Sequence, residues 1–220
     1  MSFTAKDVKA LRDRTNAGMM DCKKALEETG GDSDAAVELL RKKGIAQSAK
    51  RAGRVAAEGA IFTYIHPGAK YGVLVEVNCE TDFAARSDPF QNFGKEICMQ
   101  VCSAAPRWVR REDIAEDERE AEKAIYVARA KDTGKPEHIL EKIADGMLRK
   151  WYKEVCLLEQ GWVKDPDKTI EELVKALSGE IGEKVEVRRF VRYELGEGIE
   201  KPKSDIAEEV AKEIAKSEEG

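Results

Sequence analysis

The sequence lacks the usual marks of a nucleotide-binding enzyme. Neither Gly-x-x-x-x-Gly-Lys-Ser/Thr nor Gly-x-Gly-x-x-Gly occurs, so no phosphate-cradling loop is expected on this chain. Histidine is nearly absent, with only His66 and His138 in 220 residues. A zinc site or a histidine-based triad needs close partners, and neither histidine has an identifiable one. The five cysteines (Cys22, Cys79, Cys98, Cys102 and Cys156) are odd in number and form no Cys-x-x-Cys pair. Cys98 and Cys102 stand one helical turn apart, a spacing that suits packing, and free thiols fit a reducing compartment. No apolar run approaches the roughly 18 residues of a membrane span. Met1–Asp7 carries no apolar signal segment. These absences predict a cytoplasmic chain with no membrane contact and no cofactor, and argue against a metal or a catalytic residue.

What is present is charge. Asp, Glu, Lys and Arg make up 37% of the chain, and the net charge is −5. The distribution is uneven: residues 1–54 hold 12 Lys/Arg and 8 Asp/Glu, a net of +4, and the remainder a net of −9. The acidic remainder argues against a wide nucleic-acid surface, and no direct nucleic-acid partner is expected. The basic N-terminal part reads as a solvated helix surface.

Thr4 with Asp7 three residues on starts a short helix, with Val8 and Leu11 inward. Asn16-Ala17-Gly18 breaks it. A second helix runs from near Met19 to Gly30-Gly31, with Cys22, Ala25 and Leu26 on one side. Asp32 or Ser33 caps a third, with Ala36, Val37 and Leu40 inward and Gly44 as its stop. Residues 1–45 therefore read as a three-helix module, and 46–57, small and basic, as a connecting helix.

Gly59–Ile65 and Gly72–Val77 read as strands around a hairpin loop, His66–Lys70. Helices are expected over 88–104, 113–132 and 137–159, and from Thr169 to Gly182. The short turn at Thr133–Pro136 implies an antiparallel helical hairpin. A last strand, 185–195, sets Val185, Val187, Val191, Tyr193 and Leu195 against Glu186, Arg188, Arg192 and Glu194, with Arg189 and Phe190 out of step. That alternation predicts one apolar and one charged face. Helices, a hairpin, helices and a late strand give an α+β class, with the core over 58–198. Residues 199–220 follow as a C-terminal module whose helix repeats Ile206, Val210 and Ile214 every fourth residue.

Asn78-Cys79-Glu80-Thr81-Asp82-Phe83-Ala84-Ala85-Arg86 is the stretch that organises the rest. It lies between a strand and a helix entry, Ser87-Asp88-Pro89. Phe90, Phe93, Ile97 and Val101 form the next helix's stripe. Pro89 interrupts any continuous helix back to Phe83, so the stripe does not account for Phe83. The ring is either a plug in a local core or an anchor for a partner, and residue type alone favours the plug. Met19-Met20 likewise reads either as core or as an adaptable contact surface. Glu80 and Asp82 leave a carboxylate-held metal open, and Cys79 with His66 leaves open a nucleophile with its base.

Two long motifs, Asn78–Phe83 and Arg12-Asp13-Arg14-Thr15-Asn16-Ala17-Gly18-Met19-Met20-Asp21-Cys22-Lys23-Lys24-Ala25-Leu26, resemble signatures of the bacterial elongation factor Ts family. Glu154–Gln160 and Arg188–Gly198 are similar to further family stretches. The resemblance implies a ubiquitin-associated-like N-terminal bundle and a nucleotide exchange factor for elongation factor Tu, working by protein–protein binding. It implies that the Thr81-Asp82-Phe83 turn, flanked by Ala84, inserts into the partner's nucleotide domain and dislodges its magnesium. Phe83 is then the wedge and Asp82 the polar contact beside it. Met19 and Met20 become contacts of the N-terminal module, and Asp205, Ile206, Glu209 and Val210 those of the C-terminal one. The sequence departs from the family in having Ala84 where Val is commoner, and Gly161-Trp162 in place of a Pro-aromatic pair. It is too short for a duplicated core and resembles the short form, which implies a homodimer.

Overall fold

A computed structural model describes residues 3–15, 17–131 and 136–199. Among these residues the fold is α+β, with eight α-helices, a three-stranded antiparallel sheet and a two-stranded one. The predicted contacts Asp205, Ile206, Glu209 and Val210 lie outside the described residues, as do positions 133–135 of the expected Thr133–Pro136 turn. No described helix is long and apolar enough to cross a membrane.

The N-terminal module is α1 (Ala5–Thr15), α2 (Met19–Glu28) and the first half of α3 (Ser33–Arg51). Thr4 and Asp7 cap α1 reciprocally. The Asp32 carboxylate accepts from the Asp34 and Ala35 N–H groups, and so caps α3. Val8, Leu11, Cys22, Ala25, Leu26, Ala36 and Leu40 close a small core of their own.

Gly44 does not end α3. The helix runs through it to Arg51, so the third helix and the predicted connecting helix are one element, and residues 52–57 are turn and irregular chain. A boundary at residue 45 falls inside a helix. Gly44 is there for close approach: a Cβ on Gly179 would lie 3.1 Å from the Gly44 Cα. The backbones of α3 and α8 (Ile170–Ile181) meet at this glycine pair. Arg51 adds a hydrogen bond to the Ser178 carbonyl at 3.1 Å.

In the sheet, β1 (Glu58–Ile65) and β2 (Tyr71–Cys79) form the expected hairpin, and β5 (Glu186–Glu194) pairs on the far side of β2. The inner face packs on α5 (Asp88–Ala104), whose predicted stripe of Phe90, Phe93, Ile97 and Val101 is buried. Phe62 from β1 crosses to α5, its ring 5.9 Å from that of Phe90.

The last strand corrects the expected alternation. Glu76 faces Arg189 but Val77 faces Val187, so Arg188 is a one-residue bulge. An extra residue reverses the facing of everything beyond it. Val187, Phe190 and Arg192 therefore share the inner face of β2's Val77, Val75 and Val73, whereas Val191 and Tyr193 turn outward and are exposed, as is Leu195 just past the strand. Arg192 reaches the core's rim, donating to the Cys102 carbonyl and lying over the Tyr71 ring.

Between α5 and α8 come α6 (Glu116–Lys131) and α7 (Glu137–Val155), which pack on each other, then β3 (Gly161–Trp162) and β4 (Asp165–Thr169). The predicted helix over 137–159 stops at Val155, followed by a 3-10 turn at Leu157–Glu159. The small β3–β4 hairpin is not visible in the sequence pattern. Gln100, fully buried, holds it: its amide donates to the Gln160 side chain and accepts from Val163 N–H. Such a fully partnered amide avoids the penalty of a buried polar group. Thr169 and Glu172 form a capping box at the start of α8, and Gly182, at φ +77°, ends it.

Candidate functional site

β2 delivers the chain to the stretch 78–86. Cys79 is buried, and its thiol donates to the Thr81 carbonyl at 3.2 Å. The backbone then turns at Thr81, which is extended (φ −132°, ψ 156°). Its hydroxyl accepts from the Ala84 N–H at 3.2 Å, the N-cap bond of a short helix, α4 (Asp82–Arg86). The segment read from sequence as a turn is thus one turn of helix. It ends at Ser87, whose hydroxyl donates to the Ala84 carbonyl at 2.7 Å, and Gln91 donates to the Ala85 carbonyl at the same distance. α5 begins directly afterwards at Asp88, with Pro89 in its first turn.

Small residues decide which way α4 faces. Ala84 and Ala85 are buried against the main core, so α4 lies close on β1 and β2. Phe83 points the other way and is 83% exposed. It is not a core plug; Phe62 and Phe90 fill that space. Ala84, expected as a flanking contact, faces inward and fastens the helix to the core. Asp82 opens α4 and pairs with Arg86 at 2.8 Å on the exposed side.

The turn is also gripped from a distance. The Glu183 carboxylate, between α8 and β5, accepts from the N–H groups of Glu80 and Thr81 and from the Thr81 hydroxyl. The Glu80 carboxylate in return accepts from Lys184 N–H at 2.6 Å and from Arg54 at 3.2 Å. Those contacts hold the Glu80 carboxyl below the usual carboxylate range. Nothing local in the sequence signals this pairing of segments.

The enzyme readings do not assemble. Burial, then the nearby Glu183 charge, push the Cys79 thiol up to about 11. His66 sits at the opposite end of β2, about 26 Å away at the usual rise per residue. It bonds to Tyr64 rather than to any thiol. Glu80 faces Lys184 and Arg54, whereas Asp82 faces Arg86, so the two carboxylates do not converge.

Met19 and Met20 lie on the first turn of α2, 46% and 61% exposed. They are outside the small core that Cys22, Ala25 and Leu26 build from the same helix. The structure brings Thr81, Asp82, Phe83 and Ala84 together on one cap and helix turn, and places the methionines on a separate module.

Residues 3–197 match the model of the family described as Elongation factor TS. A protein named Elongation factor Ts from Geobacter metallireducens is 57% identical over 211 residues, covering 96% of this chain and 98% of that one. One of the same name from Desulforamulus reducens is 56% identical over 212 residues, with the same coverage. Another from Anaeromyxobacter dehalogenans is 56% identical over 210 residues, 96% of each chain. Similarity on this scale spans the N-terminal bundle, the sheet and the Phe83 turn together, and the chain belongs to the elongation factor Ts family of translation elongation factors.

Proposed function

We propose that this chain is a guanine nucleotide exchange factor for elongation factor Tu, with the Thr81-Asp82-Phe83 turn as the inserted element. Phe83 carries the proposal. Leaving such a side chain in water forgoes about 1.5–3 kcal/mol of burial. The fold nevertheless holds it outward on a helix turn capped at Thr81 and fastened by Ala84.

Phe83 enters between helices of the partner's nucleotide domain, and Asp82 makes the polar contact beside it. The helices shift, the magnesium is dislodged, and GDP is held less tightly. No covalent bond is made or broken. The factor favours the nucleotide-free partner, and linkage requires GDP to weaken the factor's binding by the same ratio. Met19 and Met20 supply a second contact from the N-terminal module, and Asp205, Ile206, Glu209 and Val210 a third. The test is release of fluorescent GDP from purified elongation factor Tu with and without the chain. A release rate that does not change with added chain would overturn the proposal.

We further propose that the factor is a homodimer through the outer face of its sheet. Cross-strand rows there set Ile65 beside Gly72 and Tyr193, and Thr63 beside Leu74 and Val191. Ile61, Ile65, Leu74, Val191 and Tyr193 are all exposed on this face. A second copy brings an identical, largely apolar surface, which a two-fold axis can pair with the first. Light scattering should give about 49 kDa, twice the chain's 24.5 kDa, and Leu74→Lys should return it to the single-chain mass. A single-chain mass for the unmodified protein at tens of micromolar would exclude the dimer.

A further inference from the structure

We propose that Glu183 is a positioning residue for the exchange turn, acting on Phe83 through Thr81. The proposal rests on the reading of Phe83 as the inserted group. Glu183 follows the α8 C-cap, Gly182, and is 102 residues from Thr81. One carboxylate oxygen accepts from Glu80 N–H at 3.1 Å and Thr81 N–H at 2.9 Å, and the other from the Thr81 hydroxyl at 2.6 Å.

The hydroxyl bond matters most. Thr81 has a single hydroxyl hydrogen. Glu183 takes it, which leaves a lone pair of the same oxygen aimed at the Ala84 N–H, the capping bond of α4. A helix of five residues has no stability of its own. Its geometry depends on that cap and on the burial of Ala84 and Ala85. Phe83 is 83% exposed, so packing does little to set its direction. The ring's aim is therefore set through the backbone at 81–84, whose N-terminal end Glu183 holds.

Glu183 is itself braced. Its carbonyl accepts from the Ser178 hydroxyl at 2.6 Å. The Lys184 N–H is bound by the Glu80 carboxylate, so the two segments exchange carboxylates and backbone donors in both directions. The Lys184 ammonium reaches the Arg54 carbonyl at 2.9 Å, and Arg54 bonds back to Glu80. The clasp thus joins α8, the turn, and the chain entering from the N-terminal module. A group held in its bound geometry before contact loses less entropy on insertion.

The experiment compares the unmodified protein, F83A, E183A and F83A/E183A. It records the maximal rate of GDP release from elongation factor Tu, the factor concentration giving half that rate, and amide hydrogen exchange. E183A should lower the maximal rate about tenfold, equivalent to about 1.4 kcal/mol, with half-saturation nearly unchanged. The amides of Glu80, Thr81 and Ala84 should lose protection while those of β2 and α5 keep it. The double variant should be only slightly slower than F83A alone, because Glu183 acts mainly through the ring.

A normal maximal rate in E183A would overturn the proposal. So would a double variant slower than F83A by the full E183A factor, or protection lost throughout β2 and α5. If F83A itself releases GDP at the unmodified rate, the Phe83 reading fails, and the role of Glu183 fails with it. Should E183A not fold, E183Q carries the same measurements at nearly unchanged side-chain volume. It should show the same pattern with a smaller drop in rate, and a rate equal to that of the unmodified protein would again overturn the proposal.

Discussion

Phe83→Ala should remove most of the acceleration of GDP release from elongation factor Tu while leaving the fold intact. The ring is 83% exposed, so truncation opens no cavity. The stability change should stay below about 1 kcal/mol, as at ordinary surface positions. A core plug would instead cost about 3–5 kcal/mol. At the interface the ring is an anchor, and its loss should cost about 2–4 kcal/mol. That is roughly a 30- to 700-fold weakening. The deficit should fall on release rather than on docking, because Met19 and Met20 still engage the partner from another module. Asp82→Ala should be milder, since its exposed pair with Arg86 contributes under about 1 kcal/mol and water replaces it. Melting temperature and release rate are to be measured on one preparation. A large fall in melting temperature with near-normal release per folded molecule would sink the wedge assignment.

Gly94→Ala should do the reverse, lowering stability without touching the chemistry of exchange. Helix propensity alone favours alanine inside α5 by about 1 kcal/mol. The contact with Phe62 reverses that sign. A Cβ at Gly94 would lie 2.2–2.3 Å from three atoms of the Phe62 ring. The ring is buried between Gly94 and Phe90, so it has no free space to enter. Overpacking of this kind costs about 1–3 kcal/mol. For a chain of this size a loss of about 2 kcal/mol lowers the melting temperature by about 4–8 °C. Release rate per folded molecule should be unchanged, because Phe83 and its clasp are untouched. A melting temperature equal to or above that of the unmodified protein would show that the sheet and α5 separate more easily than the buried Phe62–Phe90 contact implies.

Together the two substitutions separate function from stability at positions 11 residues apart. The separation arises because Phe83 is on the outer side of α4 and Gly94 on the inner side of α5.

Much of this architecture follows from local chemistry. The stripe of α5 needs only apolar side chains at helical spacing. The α1 cap, the α8 capping box and the Gly182 stop each need residues within three or four positions of one another. The β1–β2 hairpin closes over a short loop. The motif around Phe83 was legible as well, as was its place between strand and helix. What it left open was whether the ring faced in or out.

The rest depended on partners far along the chain. Gly44 has the residue type of a helix stop, and only the approach of Gly179 makes it a crossing point. The alternation in β5 suggested a single apolar face, but the bulge at Arg188 is defined by the register of β2, and it turns Val191 and Tyr193 outward. Glu183 looks like any acid after a helix until the fold sets it against Thr81. Sequence by itself determined most of the helices and the three strands of the main sheet, because those choices rest on neighbours within a turn or two; it missed α4 and the β3–β4 hairpin and stopped α3 too early. Tertiary structure decided which way the side chains face and what grips the exchange turn, because those depend on contacts between separate elements, from Ala84 and Ala85 against the sheet to Glu183 against Thr81, 102 positions away.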